Sequence, residues 1–429
     1  MAFVDADKLS YEIFSILESK FLYGLDDPNK LFFPTSSSYS SAGASPRTAT
    51  RAGGRIRILS IDGGGSPSDA LLAAVALARL ESSLRRRSGD PSARVADMFD
   101  VAAGSGAGGV LVAMLFTRDH DGRPLFSATD ALHLLLSESR RRRGRGFSSR
   151  RGLFRGMFRR PGSFFRRIFG DATLRDTVKP VLIPCYDLAT GAPFLFSRAD
   201  AVEADGYDFR MWEVCAATCA DASTAAVDLR SVDGRTRVTA VGAGVAMANP
   251  VAAAITHVLH NKPEFPFAAG VEDLMVVSLG ASAPAPAAPC AAEFVRIAGE
   301  GFSDMVDQAV AMAFGRRRAS NYLRIQDTAF MSGNCTPKTT SSAEAAERVL
   351  SQRHVESQLF RGRGKTSERT NGDELDRFAE ELVKEEEWRK KGPIPTVVLK
   401  QVMTPRTSSA TTATTVTVTT TISTSTTST

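Results

Sequence analysis

At 429 residues and 43% hydrophobic content, the chain is long enough for one large domain with appendages and too apolar for wholesale disorder. The N-terminus carries Asp5 and Asp7 and no uninterrupted apolar run, and no segment approaches the roughly 20 apolar residues that span a bilayer, so neither a secretory leader nor a membrane span is expected. The net charge of +6 hides an asymmetry: residues 138–167 hold twelve arginines against Glu138, a local charge of +11, which leaves the rest of the chain at −5. Five cysteines (Cys185, Cys215, Cys219, Cys290 and Cys335) have no framework spacing and no matching Cys/His pair for zinc, so reduced, mostly buried thiols are expected.

In chain order, residues 1–54 open with a helical pattern over 8–23, where Ile13, Phe14, Ile16, Leu17, Phe21 and Leu22 recur at helical spacing. A Ser/Gly/Ala/Pro-rich linker follows over 34–54. The organised core begins with a strand at 55–62 that runs into Gly63, Gly64 and Gly65, followed by a helix over 70–87 with arginines at its C-terminal end. A short buried strand at 98–103, a glycine-rich elbow and an apolar helix over 111–116 come next. This β-α-β-α order predicts an α/β fold with a parallel sheet and helices on both faces.

Beyond a basic insertion at 138–169, strands are expected at 181–186 and 193–197, a helix at 212–220, and a hairpin whose turn is Asp233-Gly234. A loop at 242–249, a helix at 250–259 and a buried strand at 274–279 follow. The predicted core thus spans 55–283. Residues 284–403 read as a mainly helical C-terminal region with polar breaks near 333–345 and 361–372, and the Thr/Ser-rich residues 404–429 as a disordered tail.

The elbow reads Gly104-Ser105-Gly106-Ala107-Gly108. In the G-x-S-x-G elbow of acyl hydrolases, tight glycines let a strained turn hold a serine Oγ above the sheet. Gly106 occupies the nucleophile's position here. In a parallel sheet this turn and the Gly63–Gly65 turn emerge side by side at the carboxyl edge, where ligands bind. Backbone N–H groups of Gly63, Gly64 and Gly65 at a helix start suit a negative oxygen. A nucleotide-phosphate loop is the rival, but neither G-x-x-x-x-G-K-[ST] nor G-x-G-x-x-G is present.

The segment 59–65 (Leu-Ser-Ile-Asp-Gly-Gly-Gly), the elbow about 40 residues later, and the segment 242–250 (Gly-Ala-Gly-Val-Ala-Met-Ala-Asn-Pro) together resemble the patatin-like phospholipase family. Segments 274–280 and 321–326 are similar to core stretches of the same family, and the resemblance covers about residues 55–330. It implies a three-layer fold with a central, mostly parallel sheet and hydrolysis of acyl esters of membrane glycerolipids by a Ser–Asp dyad without histidine, with no cofactor and no metal. By the same resemblance the serine falls on Gly106, the aspartate on Gly242, and the oxyanion hole on Gly63, Gly64 and Gly65; the arginine that follows the glycines is Pro67. Both dyad residues are absent, as in a plant subgroup with glycine at the elbow, so serine-type hydrolysis of phospholipids or galactolipids is expected to be weak or absent. A catalytically inactive lipid-binding or regulatory protein is the alternative.

Substitutes for the dyad are poor. Ser105 neighbours the lost nucleophile, but adjacent side chains on a sharp turn diverge, and nucleophilic catalysis tolerates little misplacement. Asp233 is explained by its hairpin turn. His120, His133, His257, His260 and His354 have no triad context. In the basic insertion, arginines alternate with aromatics, and Arg140, Arg141, Arg142, Arg143, Phe154, Phe158, Phe164 and Phe165 are the membrane-contact candidates. Peripheral docking of a cytoplasmic protein on an anionic membrane is one reading of this run. Nucleic-acid binding, the least expected, and a solvated insertion are the others.

Overall fold

The computed structural model describes residues 54–63, 67–143, 161–220, 226–242, 244, 247–280, 291–326, 342–356 and 365–400. An eight-stranded sheet organises them in the order β5-β6-β3-β2-β1-β7-β8, with β4 paired to β3. The strands are β1 (Ile56–Ile61), β2 (Val101–Gly104), β3 (Val181–Asp187), β4 (Ala192–Ser197), β5 (Val227–Arg230), β6 (Arg237–Gly242), β7 (Leu274–Leu279) and β8 (Tyr322–Ile325). Strands β3, β2, β1, β7 and β8 run parallel, while β4, β5 and β6 pair antiparallel. The central strands are buried and predominantly apolar because helices cover both faces.

Side-chain alternation along β1 assigns the layers. Ile56 and Ile58 face a core with helix α6 (Val251–His260) and helix α7 (Ala291–Phe314). Leu59 and Ile61 face the opposite, larger core. That second layer holds α1 (Pro67–Ser88), α2 (Gly106–Phe116), α3 (Ala128–Arg143), α4 (Pro161–Phe169), α5 (Met211–Thr218), α8 (Ser342–Ser351) and α9 (Asn371–Lys391). Helix, sheet and helix form the expected three layers.

Helix α1 buries Leu71, Leu77, Leu80 and Leu84 and places Arg85, Arg86 and Arg87 in its last turn, where the dipole favours cations. Helix α9 starts from a capping box in which the Thr370 hydroxyl accepts from Asp373 N–H at 3.1 Å and Asp373 accepts from Thr370 N–H at 3.0 Å. Its Arg389 reaches Asp100, a buried carboxylate that also accepts from Arg57 N–H at 2.8 Å. The arginines hold this carboxyl well below the usual carboxylate range despite its burial.

Three expectations need correction. The boundary at 283/284 cuts the sheet, because β8 lies beyond it and pairs with β7. The region 284–403 also contains the hairpin β9 (Arg353–Glu356) and β10 (Lys365–Thr370), which strand propensity alone hardly marks. The basic insertion is narrower than 138–169, since α3 continues to Arg143 and α4 packs Phe165 and Phe169 into the core. The tail 404–429 and residues 1–53 lie outside the described residues.

Candidate functional site

The carboxyl ends of β1 and β2 meet in two abutting turns. Asp62 N–H donates to the Leu279 carbonyl at 2.8 Å and Ser105 N–H to the Ile61 carbonyl at 3.1 Å, stitching the turns to neighbouring strands. A Cβ on Gly63 would lie 1.8 Å from the Ser105 carbonyl oxygen, and one on Gly108 would lie 2.4 Å from that of Ile61. Glycine is therefore required for the two backbones to approach this closely.

The elbow has the expected geometry. Strand β2 ends at Gly104, Gly106 turns at φ +52°, and α2 begins at once. That left-handed conformation is the one in which a serine would be strained and glycine is not. Gly106 N–H donates to Thr218 Oγ1 at 2.9 Å, and Thr218 Oγ1 donates in turn to the Pro184 carbonyl at 2.8 Å. Ser105 is fully buried and its Oγ has no hydrogen-bond partner among the described residues, so it is sealed from any substrate.

Gly242 ends β6 opposite Cys185, and a Cβ there would lie 2.6 Å from the Ala220 carbonyl oxygen and 2.7 Å from that of Thr218. Thr218 thus touches both positions assigned to the dyad, through its hydroxyl at Gly106 and its carbonyl at Gly242. Sequence reading gave it no role, because threonine at a helix end carries no motif. A Thr218→Val variant leaves the Gly106 N–H and the Pro184 carbonyl without their partner, which costs about 1–3 kcal/mol. Urea unfolding checks this, and a midpoint equal to wild type would remove Thr218 from the account.

Gly63, expected as an oxyanion donor, has its N–H turned to a neighbouring loop. Its N–H donates to the Ala248 carbonyl at 3.2 Å and is engaged inside the fold. Gly64 and Gly65, the other two expected donors, lie outside the described residues.

Behind the turns is a polar network that sequence reading missed. Arg324, from β8, reaches Asp62 with Nη1–Oδ1 at 3.0 Å and Nη2–Oδ2 at 2.6 Å, and Ser303 of α7 donates to Asp62 Oδ2 at 2.6 Å. Burial works against the Arg324 charge, but the Asp62 carboxylate outweighs it and raises the guanidinium above its ordinary value. Asn249 Nδ2 donates to the Ser303 carbonyl at 3.2 Å, tying the loop after β6 to the same helix. Above this network lies a groove of about 290 Å³ lined by Met247, Ala248, Asn249, Thr256, Phe302 and Val306. It adjoins the first glycine turn, since Ala248 both lines it and holds Gly63.

The remaining candidates separate. Asp233 caps its hairpin by accepting from Ser231 Oγ at 2.6 Å and Arg235 N–H at 3.0 Å, and Gly234 turns at φ +72°. His257 and His260 lie on α6, and His260 Nδ1 contacts the Thr256 carbonyl at 2.9 Å. Cys185, Cys215 and Cys219 are buried and form no disulfide; burial and then the Asp187 charge push the Cys185 thiol up to about 12. Among the described residues no group of three or more His, Cys, Asp or Glu is placed to hold a metal ion.

Of the membrane-contact candidates, Phe165 is corrected. It is 0% exposed within the core and unavailable to a bilayer. Phe164 is half-buried under the Arg167 guanidinium, 5.5 Å from its ring centroid. Arg140, Arg141, Arg142 and Arg143 belong to the end of α3 with side chains outside the described set, as are Phe154 and Phe158. No helix among the described residues is long and apolar enough to cross a membrane.

A three-layer fold with a strand–turn–helix elbow at the carboxyl edge of its sheet defines an α/β protein of the acyl-hydrolase type. The sequence model of the patatin-like phospholipase family matches residues 59–255. Patatin-like protein 3 of Oryza sativa subsp. indica is 54% identical over 90% of this chain and 92% of its own length. Patatin-like protein 6 of Arabidopsis thaliana is 45% identical over 93% and 88%. "Probable inactive patatin-like protein 9" of the same plant is 38% identical over 89% and 93%. The chain belongs to the patatin-like phospholipase family.

Proposed function

We propose that this chain takes up membrane glycerolipids, phospholipids or galactolipids, in the groove beside Gly63, and that its serine-type hydrolysis is weak or absent. The observation that carries the second half is Gly242, whose missing side chain would collide with two backbone carbonyls. Its surroundings are built for glycine rather than for a carboxylate that has merely been deleted. Gly106 and the sealed Ser105 leave the elbow without an accessible hydroxyl. Removing the nucleophile from a serine hydrolase costs about 10⁶ in turnover and leaves about 10³ over water from binding and the oxyanion hole. Here the Gly63 N–H is engaged by the Ala248 carbonyl. A relative whose name calls it inactive is consistent with this reading.

The groove supports the first half. Its lining is apolar apart from Asn249 and Thr256, which suits an acyl chain with one polar end. Peripheral docking on an anionic membrane belongs to the same reading. The test pairs two measurements on the purified full chain. Titration with a short-chain phosphatidylcholine below its micelle concentration is expected to show saturable binding. Hydrolysis of phospholipid vesicles and galactolipid micelles is expected at the rate of a buffer control. Turnover more than about 10⁵-fold above that control, beyond the roughly 10³–10⁴ that a site without its nucleophile can keep, would overturn the loss of serine-type chemistry, and absence of saturable binding would overturn the lipid groove.

A further inference from the structure

Helix α7 inverts the pattern of an ordinary surface helix. Its inward side packs Gly299, Ser303, Asp307, Val310 and Phe314. The side facing solvent is apolar: Phe294 is 61% exposed, Phe302 58%, Met305 58% and Met312 63%. Ala298, Gly301 and Ala309 are also exposed and fall between them at helical spacing. The row from Phe294 to Met312 is therefore continuous over about 27 Å and contains no charged side chain. Asp307 turns into the core and Asp304 lies on the flank. Single exposed apolar residues are ordinary, but a contiguous apolar row marks an interaction surface.

Charge and position identify the partner. The turn that ends α7 (Gly315–Arg317) exposes Arg316 and Arg317, and no acidic side chain among the described residues pairs with either. An apolar helical face with arginines at its end matches an anionic leaflet, where each basic residue adds about fivefold to partitioning. Phe302 belongs both to the exposed row and to the lining of the groove, so the face is continuous with the groove mouth. A second copy of the chain would bury the apolar row equally well but would leave Arg316 and Arg317 without counter-charge.

We propose that the outward face of α7 docks this protein on an anionic phospholipid bilayer, placing Phe294, Phe302, Met305 and Met312 among the headgroups and the groove mouth against the leaflet. A lipid then passes from the bilayer into the groove along Phe302 without crossing water. The proposal rests on the glycerolipid reading above, and it locates docking outside the arginine-rich insertion.

The test measures sedimentation of the full chain with vesicles of phosphatidylcholine containing a minor share of phosphatidylserine. A Phe294→Ser/Met305→Ser/Met312→Ser variant, whose positions lie outside the groove, is expected to lose on the order of a hundredfold in partitioning. Arg316→Glu/Arg317→Glu is expected to lose on the order of tenfold or more and to become insensitive to phosphatidylserine. In a separate Met305→Trp variant, the emission difference from wild type should shift to the blue on adding vesicles. That readout does not depend on how well the triple variant folds. Short-chain phosphatidylcholine binding measured on the triple variant should equal wild type, which separates the docking face from the groove.

Three results would overturn the proposal. One is vesicle binding by the triple variant equal to wild type, with binding lost instead on deleting 144–160. Another is a Met305→Trp emission that vesicles leave unchanged. The third is a lipid-free wild-type dimer that the triple variant converts to monomer, which would assign the face to a second copy. If short-chain lipid also fails to bind wild type, the glycerolipid reading falls with it.

Discussion

A Gly106→Ser/Gly242→Asp variant, which restores both residues of a Ser–Asp dyad on paper, is expected to remain inactive on phospholipid vesicles and to be less stable than wild type. The reason lies in the backbone around each site. An aspartate at 242 must place its Cβ where the Ala220 and Thr218 carbonyl oxygens now stand, at 2.6 and 2.7 Å, so β6 or the end of α5 has to move. Gly242 N–H also donates to the Ala220 carbonyl at 2.5 Å, which removes slack in that direction. Forcing atoms into such a site costs about 1–3 kcal/mol. A serine at φ +52° adds about 1–2 kcal/mol. The displaced strand end would carry the new carboxylate away from the new hydroxyl, and a nucleophile misplaced by about an ångström forfeits most of its rate. Denaturant unfolding and vesicle hydrolysis, measured on the double variant and both single variants, check the two halves separately. Recovered turnover in the double variant, thousands-fold above wild type, would show that the pocket still accepts a dyad.

How much of this was legible beforehand differs by element. The β-α-β-α opening could be read because glycine runs at 63–65 and 104–108 punctuate short apolar strands, and β1 and β2 end there. Strand β8 was harder. Its four residues sit inside a helical stretch, and only pairing with β7 makes them a strand. The hairpin β9–β10 is polar, so alternation gave no signal. In the basic insertion, charge masked geometry. Phe165 and Phe169 are one helical turn apart and point inward, while Arg166 and Arg167 point out, so one short helix satisfies both the core and the solvent.

The site shows the same limits. The elbow was recognisable because its chemistry is local. Thr218 and Arg324 were not, since their roles arise only when elements far apart in sequence converge on one sheet edge. Nor could the sequence show that α7 turns its apolar residues outward. Counted along the chain, Phe302 and Met305 look the same as core residues. The distinction is made by Gly299, whose Cβ position lies 2.6 Å from the Gly244 carbonyl and so fixes which side of the helix packs inward.

Arg324→Ala is expected to lower the unfolding free energy by about 3–5 kcal/mol and the melting temperature by roughly five degrees. The variant leaves the Asp62 carboxyl fully buried without its counter-ion; burial, which already pushes it above the usual carboxylate range, then favours its protonation at a cost in stability, and only the Ser303 hydroxyl and nearby dipoles remain to compensate. Arg324→Lys should fall between, because an ammonium cannot meet both carboxylate oxygens as the planar guanidinium does at 3.0 and 2.6 Å. The decisive comparison is Asp62→Asn/Arg324→Met, which removes both charges together. Breaking a buried pair costs far more than replacing it, so the double variant should be more stable than the sum of its two single variants predicts, by about 1–3 kcal/mol. Strictly additive losses would mean that the two residues act through packing alone. The consequence for function follows from position. Asp62 immediately precedes Gly63, and Ser303, which Asp62 accepts from, immediately follows the groove residue Phe302. The ion pair therefore joins the first glycine turn, the helix that walls the groove and the last strand of the sheet. At temperatures where Arg324→Ala is still folded, its affinity for short-chain phosphatidylcholine should fall, whereas a surface substitution of equal thermal cost should leave it unchanged.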